Sequence, residues 1–102
     1  MTVPALVLLV RVKSTLSFEE VVKIMEERAG DFRALAGLQQ KYYLQDPISG
    51  EYAGLYFWES AEALAEYRDS ELRASIAEAY RAEGKPRVEV YRVIKPLREE
   101  QG

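Results

Sequence analysis

The sequence predicts an α+β domain built in the order β-α-β-β-α-β, a four-stranded antiparallel sheet with two helices on one face. Three observations carry this. Four runs of strand length, rich in Val, Leu and Tyr, stand at 5–12, 38–45, 52–59 and 87–94. The two segments between the first and second runs and between the third and fourth carry apolar residues at three- and four-residue steps, the spacing of one helical face. Capping and turn residues stand at the junctions.

The first strand, Ala5 to Val12, is apolar at nearly every position, as in a strand buried on both faces. Ser17 and Glu20 have capping-box spacing and open the first helix. Phe18, Val21, Val22, Met25, Ala29, Phe32 and Ala36 then form one stripe, and Gly37 is expected to end the helix. In the second strand, strict alternation puts Leu38, Gln40, Tyr42 and Leu44 on one face and Gln39, Lys41, Tyr43 and Gln45 on the other. Asp46-Pro47-Ile48-Ser49-Gly50 reads as the turn of a hairpin leading into Tyr52–Glu59. Ser60 caps the second helix, in which Leu64, Tyr67, Leu72, Ile76 and Tyr80 share a buried side. A slip in spacing at Asp69-Ser70 predicts a kink or a restart capped by Ser70. Gly84-Lys85-Pro86 stops this region before the last strand, and a polar tail over 97–102 is expected to fray.

A length of 102 residues fits one domain spanning 1–102. The net charge is −3 with no clustered basic run, so no nucleic-acid partner is expected. The chain has no Cys and no His, which removes thiolate and imidazole catalysis and the usual zinc and haem ligand sets. No metal and no cofactor is expected. The longest apolar stretch, Ala5 to Val10, is far too short to span a bilayer, so no membrane partner is expected. It follows no basic segment and reads as a strand rather than a signal peptide. A cytoplasmic location is the expectation, compatible with the absence of Cys.

Two right-handed crossovers put both helices on the same side of the sheet. The other side should then be polar in a monomer, yet the first, third and last strands are apolar on both alternating sets. Burying even ~600 Å² of such surface per subunit is worth on the order of 15 kcal/mol before association costs. A homodimer packed sheet to sheet is the expected assembly.

The run Gly37-Leu38…Lys41…Ala53-Gly54-Leu55-Tyr56…Trp58-Glu59-Ser60, followed by a helix rich in Ala, Glu, Tyr and Arg, resembles the YdhR-type monooxygenases of the dimeric α/β-barrel superfamily. The resemblance extends from about Val7 to Leu97 and is most specific between Gly37 and Ser60. It implies a ferredoxin-like fold, a sheet-to-sheet dimer, and a cofactor-independent monooxygenase acting on an aromatic or hydrophobic small molecule. A non-catalytic small-molecule-binding dimer, or an isomerase or lyase of the same superfamily, are the alternatives. Cofactor-free oxygenases of the superfamily carry a Trp just before the second helix and an Asn earlier on that strand. Trp58 matches the first, and Gly54 stands in the position of the second.

Tyr52, Gly54, Tyr56 and Trp58 share one face of the third strand. A mid-strand Gly marks a bulge or the close approach of another group, here a slot sized for a planar ligand. Tyr56 and Trp58 are the candidate catalytic residues, and Tyr42, Tyr43, Gly54, Tyr67 and Tyr91 are candidates for substrate binding. The alternative is that these aromatics fill the core or a dimer interface. Lys41 can lower the pKa of a neighbouring Tyr or bind an anionic substrate; a solvated or cross-strand pairing role is its alternative.

Overall fold

The computed structural model describes residues 3–98. Its elements are β1 (Leu6–Val12), α1 (Phe18–Arg33), β2 (Leu38–Gln45), β3 (Tyr52–Trp58), α2 (Ala61–Arg68), α3 (Glu71–Ala74), α4 (Ile76–Ala79) and β4 (Arg87–Arg92). The sheet is antiparallel throughout, in the order β2-β3-β1-β4. The helices pack on one face, giving the ferredoxin-like arrangement the sequence predicts. Residues 99–102 of the expected polar tail lie outside the described residues.

Local chemistry explains most boundaries. Ser17 Oγ accepts from the Glu20 amide, and Glu20 Oε1 accepts from the Ser17 amide, so both halves of the capping box close. The helix ends earlier than the apolar stripe implied, at Arg33 with Ala34 as cap. Gly37, at φ +81°, instead serves a separate turn in which the Leu38 amide reaches the Leu35 carbonyl. A Cβ at Gly37 would collide with the Ala63 side chain, so the absence of a side chain also lets α2 approach. In the hairpin, Asp46 Oδ1 accepts from the Ile48 and Ser49 amides at 2.8 and 3.2 Å, an Asx turn. The expected break in the second helical region occurs where the spacing slips. Ser70 Oγ accepts from the Arg73 amide and restarts the helix, and a second break follows at Ser75.

The registers fix which side chains meet the helices. Tyr56 lies opposite Leu8, and Gly54 opposite Val10. The inner face is thus Leu6, Leu8, Val10 and Val12 of β1 with Tyr52, Gly54, Tyr56 and Trp58 of β3. Leu8, Val10, Val12, Tyr56 and Trp58 are buried there with Val21, Phe32, Leu64, Tyr67, Ile76 and Tyr80. The buried stripe expected for the second helical region is present, whereas Phe18 and Ala36, at the ends of the first stripe, are exposed.

On β2 the strict alternation fails. Leu38 pairs with Trp58 but Gln40 pairs with Phe57, so Gln39 is an extra residue, a β-bulge. Beyond it Lys41 lies opposite Tyr56, Tyr43 opposite Gly54 and Gln45 opposite Tyr52. Lys41 and Tyr43 therefore share the inner face with Leu38, while Tyr42 and Leu44 turn to the other. The outer face gathers Val7, Leu9, Tyr42, Leu44, Leu55, Phe57 and Tyr91, with Tyr42 and Phe57 in an edge-to-face contact at 5.8 Å. No helix among the described residues covers it.

Candidate functional site

The site forms where the inner face of β2 and β3 meets α1 and α4. Phe32, on the last turn of α1, reaches down over the sheet. Tyr80, which caps α4, closes the far side. Between them is a narrow apolar slot of about 30 Å³, lined by Val10, Val12, Met25, Phe32, Gly54, Ile76 and other residues, with Ser14, Lys41, Tyr43, Tyr52, Tyr56 and Tyr80 as its polar lining residues. A space of that size holds one or two water molecules. A second, open groove of about 330 Å³ runs along α1 and β2 and is lined by Ala29, Phe32, Arg33, Leu38, Gln39, Gln40, Lys41 and Tyr43. Phe32, Lys41 and Tyr43 line both spaces and form the wall between them.

Lys41 is the unusual member. Its Nζ lies 3.4 Å from the ring centre of Phe32 and 4.5 Å from those of Tyr43 and Tyr56. Among the described residues the ion pairs involve Arg11, Lys13 and Arg87 with Asp46, Glu51 and Glu83; none reaches Lys41. Burial, reinforced by repulsion from Arg28, lowers the Lys41 ammonium from 10.5 to about 7. The aromatic faces favour the charged form by roughly 0.5–2 kcal/mol. The displacement corresponds to roughly 5 kcal/mol against it, so burial prevails.

Gly54 makes this placement possible. A Cβ there would sit 2.8 Å from Tyr56 Cε1 and 3.2 Å from Lys41 Cε. The space predicted for a planar ligand is occupied by the protein's own lysine stem and tyrosine ring.

Arg28 braces the site from α1. Its guanidinium donates to the Leu72 carbonyl at 3.2 Å and to Ser75 Oγ at 3.1 Å, and lies over the rings of Phe32 and Tyr80. The phenols stay protonated. Burial drives Tyr56 far above its ordinary value, raises Tyr43, and pushes Tyr80 up to about 12.

Of the residues singled out from the sequence, Tyr43, Gly54 and Tyr56 meet at the slot. Trp58 and Tyr67 lie deeper. Trp58 is fully buried and stacks on Tyr56 with the rings 5° from parallel, and Tyr67 donates to the Tyr56 hydroxyl at 3.2 Å. Neither lines the slot or the groove. Tyr42 and Tyr91, 52% and 56% exposed, belong to the outer face, where Tyr91 donates to Glu89. Phe32 and Tyr80 complete the site although the sequence marked them only as buried positions. Their signal was the intersection of two helical stripes with the inner face of the hairpin, which needs the register to be known. Among the described residues no group of three or more His, Cys, Asp or Glu is placed to hold a metal ion, and no helix is long and apolar enough to cross a membrane.

No protein-family model and no curated protein matches the sequence. Solved structures do match in three dimensions. SnoaB, a cofactor-independent oxygenase from Streptomyces nogalater, superposes with a TM-score of 0.74 at 15% identity, covering 94% of this chain and 99% of its own. A protein of unknown function from Nitrosomonas europaea gives 0.76 at 12% identity, covering 96% and 97%. A candidate antibiotic biosynthesis monooxygenase from Caulobacter crescentus gives 0.72 at 15% identity, covering 90% and 92%. The chain shares their fold. At these identities the likeness speaks for architecture, and chemistry has to be argued from the slot itself.

Proposed function

We propose that this chain is a cofactor-independent monooxygenase, acting as a homodimer on an aromatic small molecule that carries an ionisable hydroxyl. The observation that carries the reading is Lys41, an amine without a carboxylate partner among the described residues, set among three aromatic rings in the wall between groove and slot. Oxygenation without a cofactor requires the substrate to supply electrons, and an ionised phenol supplies them far more readily than a neutral one. With its pKa near 7, Lys41 is about half neutral at neutral pH and takes the phenol proton as general base. The resulting ammonium then stays beside the phenolate. Oxygen adds at the activated ring carbon, the O–O bond breaks, one oxygen remains as a carbonyl and the other leaves as water.

Sizes support a division of labour. A cavity of roughly 150 Å³ is needed to hold a benzene ring. The slot of about 30 Å³ is far below that and suits dioxygen or water, whereas the groove of about 330 Å³ suits the organic substrate. The apolar outer sheet face supports the dimer.

Oxygen consumption with a panel of polycyclic phenols tests the reading. A turned-over phenol should give a kcat/KM that rises with pH and levels off above about 7. Lys41→Met should lower it by roughly 10²–10⁴. Unchanged turnover in that variant would remove Lys41 from the mechanism. A phenol that binds in the groove without any oxygen uptake would favour a small-molecule-binding protein instead.

A further inference from the structure

The surroundings of Lys41 suit a second chemistry. Lys13, Lys23, Lys85 and Lys95 are exposed, and Lys13 pairs with Glu83 at 3.7 Å. Lys41 alone among the lysines is enclosed, and it is also reachable, because it lines the open groove. The charged groups facing it from α1 are Arg28, which repels it, and Arg33 at the groove. The titratable groups around it on the sheet and beyond α4 are the phenols Tyr43, Tyr52, Tyr56 and Tyr80. An amine among rings, cations and phenols, with no carboxylate among the described residues paired to it as ammonium, is set up as a nucleophile.

We propose that Lys41 is a carbonyl-capture site, which condenses with an aromatic aldehyde or ketone held in the groove to form an imine. The Nζ lone pair attacks the carbonyl carbon, and the carbonyl π pair moves to oxygen. A proton passes from nitrogen to that oxygen to give the carbinolamine. The hydroxyl then leaves as water while the C=N bond forms. One amine and one carbonyl give one imine and one water, with no oxidant or reductant. Tyr43 and Tyr80, which burial keeps protonated, supply the proton that helps the hydroxyl depart. The rings of Phe32, Tyr43 and Tyr56 favour a flat, aromatic carbonyl compound. This chemistry uses the same amine as the oxygenase reading and needs neither oxygen nor an ionisable phenol.

The test is reductive trapping of the wild-type protein with benzaldehyde and cyanoborohydride under nitrogen at pH 7, followed by peptide mapping by mass spectrometry. At that pH about half of Lys41 is neutral, against roughly one in 2,500 of an ordinary lysine. Lys41 should acquire the benzyl group at least about ten times faster than any of the other four lysines. Its labelling should level off above pH 7, while theirs climbs about tenfold per pH unit. Lys41→Arg should abolish the fast label; if that variant does not fold, the pH profile of the wild type decides alone. Label confined to the exposed lysines, or a Lys41 rate no faster than theirs, would overturn the proposal. Oxygen uptake from a phenol without imine trapping refutes only the imine, and trapping without uptake refutes only the oxygenase.

Discussion

Replacing Lys41 with Met should make the protein more stable while removing its chemistry. The folded state releases the Lys41 proton near pH 7, and the unfolded chain holds it to about 10.5. Between those values the unfolded state binds more protons, so stability rises with pH and the ammonium form destabilises the fold below that window. The linkage slope approaches about 1.4 kcal/mol per pH unit, so the wild type should gain roughly 2–3 kcal/mol between pH 6 and pH 9. Solvent on the groove side screens part of this, leaving roughly 1–3 kcal/mol. Methionine keeps the length of the stem, and its sulfur packs well against rings. At pH 7 the variant should therefore be more stable by roughly 1–3 kcal/mol, which in a domain of this size raises Tm by at least about 4 °C. Urea unfolding of both proteins at pH 6, 7, 8 and 9 measures it. A variant less stable than the wild type at pH 7, or one that keeps the same rise from pH 6 to 9, would refute the account of Lys41 as a desolvated amine.

Three other perturbations probe different parts of the structure. Gly54→Ala should cost roughly 1–3 kcal/mol in urea unfolding, because the new methyl lands within 2.8 Å of Tyr56 Cε1 and 3.2 Å of Lys41 Cε. Tyr67→Phe removes the buried hydroxyl contact to Tyr56 and should cost about 0.5–1.5 kcal/mol; a neutral effect would mean that this hydrogen bond adds nothing. Phe57→Glu places a charge at the centre of the outer sheet face, and light scattering should then report a monomer with unchanged far-UV circular dichroism. A wild-type protein that is itself monomeric at micromolar concentration would refute the dimer.

Much of the fold was legible because local signals agreed with one another. Ser17 and Glu20, Ser60, Ser70 and the Asp46–Gly50 turn each act through contacts spanning a few residues, and each stands where the sequence predicts. The end of the first helix was misplaced because Gly37 serves a different turn, which the apolar stripe alone does not distinguish. The site was harder to read. Tyr56 and Gly54 were recognisable from alternation on β3, but alternation on β2 is broken by Gln39, and that break depends on pairing with Trp58 and Phe57, residues about 18 positions away. Trp58 was prominent by type and by resemblance, yet its indole lies fully buried against Tyr56 and Tyr67, away from slot and groove. Phe32 and Tyr80 come from helices whose approach to the hairpin is a tertiary fact.

The extra residue at Gln39 has a consequence for how this chain tolerates changes of length. Side chains on a strand alternate in phase, and the bulge sets the phase of everything from Gln40 to Gln45. With Gln39 retained but the bulge flattened, so that pairing to β3 ran in uniform alternation from Leu38, Gln40 would face Tyr56 and the amine of Lys41 and the phenol of Tyr43 would go to the outer face. Tyr42 and Leu44 would turn inward beneath the helices. The reacting surface and the associating surface are opposite phases of one six-residue stretch, so a one-residue slip exchanges them, whereas deleting Gln39 keeps the Leu38–Trp58 and Gln40–Phe57 pairs and leaves each surface in place.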